Sequence, residues 1–306
     1  MGRCVLFAAA LAAAMTFAGS AYAGTFPGRD GRIAFTAQAG PRTQVFTMTA
    51  SGGNVRQLSN EAAGAADPDW SSGGNQLVYA RSDGMATLMG SAGNLVATVS
   101  TQEPISDAAI SPDGKRLVFT VNGDGLYDGP SIYVTNTDDS GLQRLAPGSN
   151  PQWSPDGNWI AYVSIPADTG CPGVRLMQPD GSTDHPVQQG KPDAKGVCHD
   201  GAEAPSFSPD SKRVLYVATG IKTPHQQDGS DLYTVSIHGG AHRRLTRDGL
   251  DEASPAFSPD GKSVVFEATG GRGRQDGTFA ISASGKHRHR IGPPHAGLSW
   301  QPLPAG

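Results

Sequence analysis

From Ile33 onward the chain alternates short apolar runs with polar punctuation. Runs such as Leu117-Val118-Phe119 and Val214-Leu215-Tyr216-Val217 are continuously apolar, which predicts strands covered on both faces. Each follows the same kind of turn. Five segments share one motif: Trp70-Ser71-Ser72-Gly73-Gly74, Ile110-Ser111-Pro112-Asp113-Gly114, Trp153-Ser154-Pro155-Asp156-Gly157, Phe207-Ser208-Pro209-Asp210-Ser211 and Phe257-Ser258-Pro259-Asp260-Gly261. Nine residues after each leading apolar residue comes an aromatic: Tyr79, Phe119, Tyr162, Tyr216 and Phe266. The leading residues recur every 40 to 54 positions, the spacing of a propeller blade with loop insertions.

Ser-Pro-Asp-Gly suits a type I turn, with Ser opening it, Pro setting φ at the second position and Gly at the fourth. A third strand follows, as in Ile132-Tyr133-Val134 or Leu232-Tyr233-Thr234-Val235. A Gly-containing turn then leads to a fourth, ending near Leu58, Leu145, Leu245 or Ile291. Ser299-Trp300-Gln301-Pro302 begins a sixth unit, and Asp30-Gly31-Arg32-Ile33-Ala34-Phe35 reads as the continuation of the same motif. Joining the two ends completes a blade and removes exposed sheet edges. The predicted fold is therefore all-β: a six-bladed β-propeller of four-stranded antiparallel blades, closed by a composite blade.

These repeats resemble the TolB-type propeller family, whose units carry the same Trp-Ser-Pro-Asp-Gly signature followed by an Ile-Ala-Phe-like strand. That family's N-terminal α/β domain has no counterpart in the repeat pattern, and the domain reading is a single propeller over residues 24–306. Ahead of it, a basic Met1-Gly2-Arg3 start, an apolar run from Cys4 to Phe17 and Ala21-Tyr22-Ala23 predict a signal peptide over residues 1–23. The expected location is the periplasm or the medium, with no membrane span and a monomeric protein.

Composition narrows the classes. With 41 Gly and 23 Pro in 306 residues, a coiled coil, a helical bundle and a collagen are all excluded. A formal net charge of −4 gives no support to nucleic-acid binding.

In a four-stranded meander, the Ser-Pro-Asp-Gly turns and the turns joining strands three and four share one face. The other face carries loops of variable length: 122–130, 165–172, 190–203, 219–230 and 269–277. Long loops on a rigid scaffold are where binding resides, and this face is rich in acids. The predicted binding rim is Asp67, Asp107, Asn150, His199, Glu203, Glu252 and His295. Such a mouth attracts a basic partner, a sugar or a divalent cation, while loop Asp also serves turns and solubility.

No Gly-x-Ser-x-Gly elbow, His-Glu-x-x-His or zinc-finger Cys spacing occurs. Asn122-Gly123-Asp124-Gly125 lacks the closing Glu of a calcium loop. No catalytic residue, cofactor or metal ligand is assigned, although a divalent cation in the funnel fits the acidic rim. The leading expectation is an exported, non-enzymatic propeller binding a protein or envelope component through its long-loop face. The alternative is a propeller enzyme, a metal-assisted carbohydrate lyase or a hydrolase, with His199 and His295 near the funnel beside Asp67 or Glu203. Trp70, Trp153 and Trp300 recur at one repeat position and read as packing residues. Trp159 lies outside that register and marks a possible surface patch on the short-turn face. His287-Arg288-His289-Arg290 reads as an exposed basic stripe on an outer strand.

Cys171 falls in the loop between strands two and three of blade four, and Cys198 in the connection to blade five. Both loops emerge on the same face, and an oxidising compartment favours one disulfide between them.

Overall fold

The computed structural model describes residues 25–123, 129–164, 170–192, 194, 198, 201–219, 229–270 and 276–304. The predicted signal segment and His199 lie outside them, as do the centres of the longest loops. Among the described residues no helix is long and apolar enough to cross a membrane, and every regular element is a strand.

Blade 1 receives β1 (Arg29–Ala39), β2 (Arg42–Met48) and β3 (Arg56–Gln57). Blade 2 is β4 (Ala65–Trp70), β5 (Gln76–Arg81), β6 (Ala86–Gly90) and β7 (Leu95–Val99). Blade 3 is β8 (Ile105–Ile110), β9 (Arg116–Val121), β10 (Ser131–Asn136) and β11 (Gln143–Pro147). Blade 4 is β12 (Ser149–Trp153), β13 (Ile160–Ser164), β14 (Gly173–Met177) and β15 (His185–Gln188). Blade 5 is β16 (Gly201–Phe207), β17 (Arg213–Thr219), β18 (Asp231–Ser236) and β19 (Arg243–Arg244). Blade 6 is β20 (Asp251–Phe257), β21 (Ser263–Thr269), β22 (Gly277–Ser282) and β23 (His289–Gly292). The last strand, β24 (Ala296–Leu303), pairs antiparallel with β1 and becomes the innermost strand of blade 1. Six four-stranded antiparallel sheets result. The six-bladed ring and its composite closure are as the repeats predicted.

The turn chemistry explains the motif residue by residue. The fourth residue donates its N–H to the carbonyl of the first in all five turns, as Gly114 does to Ser111 at 2.9 Å. The Ser hydroxyl accepts the N–H five residues on, from Arg116, Trp159, Arg213 and Ser263 at 2.9–3.0 Å. It also donates to the Asp of its own turn, at 2.6–2.7 Å. That Asp accepts the backbone N–H of Lys115, Asn158, Lys212 or Lys262. The Gly position has φ near +70°, the left-handed region that costs glycine nothing. Ser211 holds the same conformation at φ +59°.

The core is six cores. Each hydrophobic cluster joins adjacent blades, and successive residues of a second strand go to opposite neighbours. Leu77 and Tyr79 pack with blade 1, whereas Val78 between them packs with blade 3. Leu117 and Phe119 face blade 2, and Val118 faces blade 4. This is the physical reason for the continuous apolar runs. Trp70, Trp153 and Trp300 are buried in these interfaces. Trp159 is half-buried, packed edge-on against His185 with ring centroids 5.1 Å apart. It therefore belongs to the blade 4–blade 5 packing and offers little free surface.

Cys171, between β13 and β14, is bonded to Cys198, which precedes β16, with Cα atoms 5.5 Å apart. The bond closes a sequence separation of 27 residues, worth about 3–4 kcal/mol in the chain-entropy model. Thiol titration of the denatured protein lacking residues 1–23 should find no free sulfhydryl until reductant is added. C171S/C198S should melt well below the unsubstituted protein. Two titratable thiols in protein recovered from an oxidising compartment would contradict the pairing.

Candidate functional site: the channel mouth

Each innermost strand starts near the long-loop face and runs toward its Ser-Pro-Asp-Gly turn. Three residues before the leading apolar residue, all six break register in a β-bulge. The bulged residues are Asp67, Asp107, Asn150, Ala204, Ser254 and Gly297, with φ between +50° and +62° in every case. Asp and Asn tolerate this region better than most side chains, and Gly does so freely. Bulges re-aim side chains and concentrate at barrel rims and functional sites.

These residues meet around the axis. A Cβ added to Gly297 would lie 3.3 Å from Asp67 Oδ1, and the Gly297 N–H donates to Ser254 Oγ at 3.1 Å. The bulge exposes backbone N–H groups, which neighbouring second strands satisfy. Asp67 N donates to Thr36 Oγ1 and Asn150 N to Thr120 Oγ1, at 3.0 and 3.1 Å. Asp107 Oδ2 accepts from Ser106 Oγ at 3.0 Å, and Asn122 Nδ2 donates to that hydroxyl. Burial pushes the Asp107 carboxyl up, against hydrogen bonds from Thr120, Ser106 and Asn150 that favour its charge. Two residues further on, Asp69 Oδ2 accepts from Ile110 N of the next blade, and Ser299 Oγ accepts from Trp70 N.

The six predicted rim residues that the structure describes separate into distinct environments, His199 lying outside the described residues. Asp67 and Asp107 are buried at the bulge, Asn150 is half-buried beside Asp107, and Glu203, one residue before the blade 5 bulge, is exposed. Crowding by surrounding protein still raises the Glu203 carboxyl. Glu252 and His295 instead occupy the position two before the bulge, where blades 2, 3 and 5 place Ala65, Ile105 and Ala202. That register points between blades. The Glu252 side chain is fully buried there, 3.9 Å from Arg288 Nη1. His295 stacks on Phe35 with centroids 3.9 Å apart, and burial pulls its pKa down to about 4.

The bulge position, the residue before it and the residue two after it carry Asp67, Asp69, Asp107 and Glu203 across the six blades. They carry no Lys, Arg or His. The bulge itself was not read from the sequence. Its trace is a run of small or turn-forming residues followed by Pro, as in Asp67-Pro68, Asn150-Pro151, Ala204-Pro205 and Ser254-Pro255. Among the described residues, no three His, Cys, Asp or Glu converge to hold a metal ion.

No protein-family model matches the chain. Dipeptidyl-peptidase 5 of Porphyromonas endodontalis is 28% identical over 133 residues, covering 41% of this chain and 18% of that protein. The match thus spans about a fifth of the relative's length. TolB from Acinetobacter baumannii superposes with a TM-score of 0.68 at 20% identity, over 89% of this chain and 67% of that one. An oligogalacturonate lyase in complex with manganese superposes at 0.59 and 14% identity, over 88% and 76% of the two chains. The fold is a TolB-like propeller.

Proposed function

We propose that the protein is an exported binding propeller that takes a basic segment of a protein partner at the channel mouth on its long-loop face. The carrying observation is the bulge register, which holds Asp67 and Asp107, with Glu203 one residue before the blade 5 bulge and no cation at the equivalent positions. Low-dielectric walls strengthen the field of such acids. The likeness of the fold to TolB supports a binding role, and the Cys171–Cys198 bond fits an oxidising compartment.

Affinity capture from an envelope fraction, in low and high salt, tests this reading. The wild type should retain a partner at low salt and release it as salt rises. A D67N/D107N/E203Q variant with an unchanged melting curve should retain much less. Equal retention by the two proteins would move the site away from the channel.

The likeness to an oligogalacturonate lyase supports a second reading, a carbohydrate-cleaving propeller. Turnover of oligogalacturonate by the purified protein with added manganese would replace the binding proposal.

A further inference from the structure

A cleft of about 420 Å³ opens between blades 5 and 6 on the opposite, short-turn face. We infer that it binds a small organic anion, a phosphate or carboxylate group carried on an apolar body. The inference is independent of the channel reading.

Two guanidiniums line the cleft, Arg213 at the start of β17 and Arg243 at the start of β19. Each is anchored by one neutral acceptor. Arg213 Nη2 donates to Thr234 Oγ1 at 3.0 Å, and Arg243 Nη2 crosses the blade gap to Ser284 O at 2.6 Å. Thr234 is buried, so the first anchor is built into the blade. Among the described residues neither arginine forms an ion pair, although nearby Arg244 and Arg288 are paired with Asp231 and Asp248. Their remaining N–H groups keep the planar donor geometry that suits an oxyanion.

Two carboxylates also line the cleft, each hydrogen-bonded within its own turn. Asp210 accepts from Ser208 Oγ and Lys212 N, and its carboxyl is held below its ordinary range. Asp260 does the same in the next turn and pairs with Lys262 Nζ at 2.9 Å. They serve the repeat-wide turn, and among the described residues neither forms an ion pair with Arg213 or Arg243. Phe257 and Ala283 supply an apolar part of the lining, and the volume falls in the range of small-molecule sites.

The chain's charge distribution agrees. Residues 201–306 hold 12 Lys and Arg against 10 Asp and Glu, a net of +2, whereas the whole chain is −4. The first 200 residues therefore carry −6.

Calorimetric titration of the purified protein with phenyl phosphate, and separately with benzoate, tests the inference. At least one should bind saturably and more tightly than inorganic phosphate, and the stronger of the two identifies the anionic group. R243Q and R213Q should each weaken that binding by about tenfold, the scale of one charge-assisted hydrogen bond. R56Q, in blade 1, should leave it unchanged. R243Q alters an exposed side chain with one hydrogen bond, so it decides the matter if R213Q fails to fold. Absence of saturable binding at millimolar concentration, or binding insensitive to R243Q, overturns the inference.

Discussion

A protein lacking residues 298–306 is expected to lose its cooperative thermal transition and aggregate. The deletion removes most of β24, whose Leu298, Ser299 and Trp300 are all at most 3% exposed. Leu298 and Trp300 pack with Ile33, Phe35 and Val265 between blades 6 and 1. Loss of one such Trp costs about 3–5 kcal/mol, already comparable with the roughly 5–15 kcal/mol of a whole domain. The strand also supplies polar ties that no other element replaces. Gln301 Nε2 donates to Gly74 O at 2.6 Å, its Oε1 accepts from Arg32 N, and Ser299 Oγ accepts from Trp70 N. Without them β1 becomes an unpaired edge beside an open apolar face. A melting curve that matches the full chain would refute closure through the composite blade.

Stability is expected to fall between pH 6.5 and 9, and E252Q should remove most of that fall. Burial, reinforced by the charge of Asp231, raises the Glu252 carboxyl to about 9, opposed by a hydrogen bond from Thr246 and by the charge of Arg244. Arg288 faces the carboxyl at 3.9 Å but is engaged by Asp248 and lies over the Phe279 ring. A carboxyl raised in the folded state binds more protons than the unfolded chain, so stability is lost as pH rises from about 4.5 to 9. His295 has the opposite sign. Its pKa is depressed from 6.5 to about 4, so stability is lost as pH falls through that window.

Between pH 4.5 and 6.5 the two slopes oppose each other. Above pH 6.5 the opposing His295 slope is gone, and Glu252 contributes about 1.4 kcal/mol per pH unit, or roughly 3 kcal/mol by pH 9. Asp107, Asp231 and Glu267 are also raised, chiefly by burial, and add in the same direction. Urea unfolding at pH 6.5 and 9 measures the difference. Parallel losses in wild type and E252Q would show that the buried charge lies elsewhere.

The blade repeat, the count of six and the disulfide were legible because their causes are local or periodic. In the Ser-Pro-Asp-Gly turn the hydrogen bonds span at most five residues, from Ser111 to Arg116, so residue identity determines the geometry wherever the motif occurs. Apolar second strands announced burial on both faces because alternate residues serve different neighbours. Cys171 and Cys198 could be paired from the alternation of loops between the two faces.

The channel and the cleft were not legible in that way, because their partners lie a blade or more apart in sequence. Asp67 meets Gly297 from the far end of the chain, and only ring closure brings them together. Glu252 looked like one more loop acid. Tertiary register placed it where Ala65, Ile105 and Ala202 stand in other blades, and so made it a buried group with a displaced pKa. Arg243 gave no sign in sequence of reaching Ser284 across a blade gap. The sequence alone therefore determined the fold, since turn chemistry and strand burial act within one repeat. The tertiary structure decided which polar side chains share a site, since one blade's position against the next is set by packing between repeats.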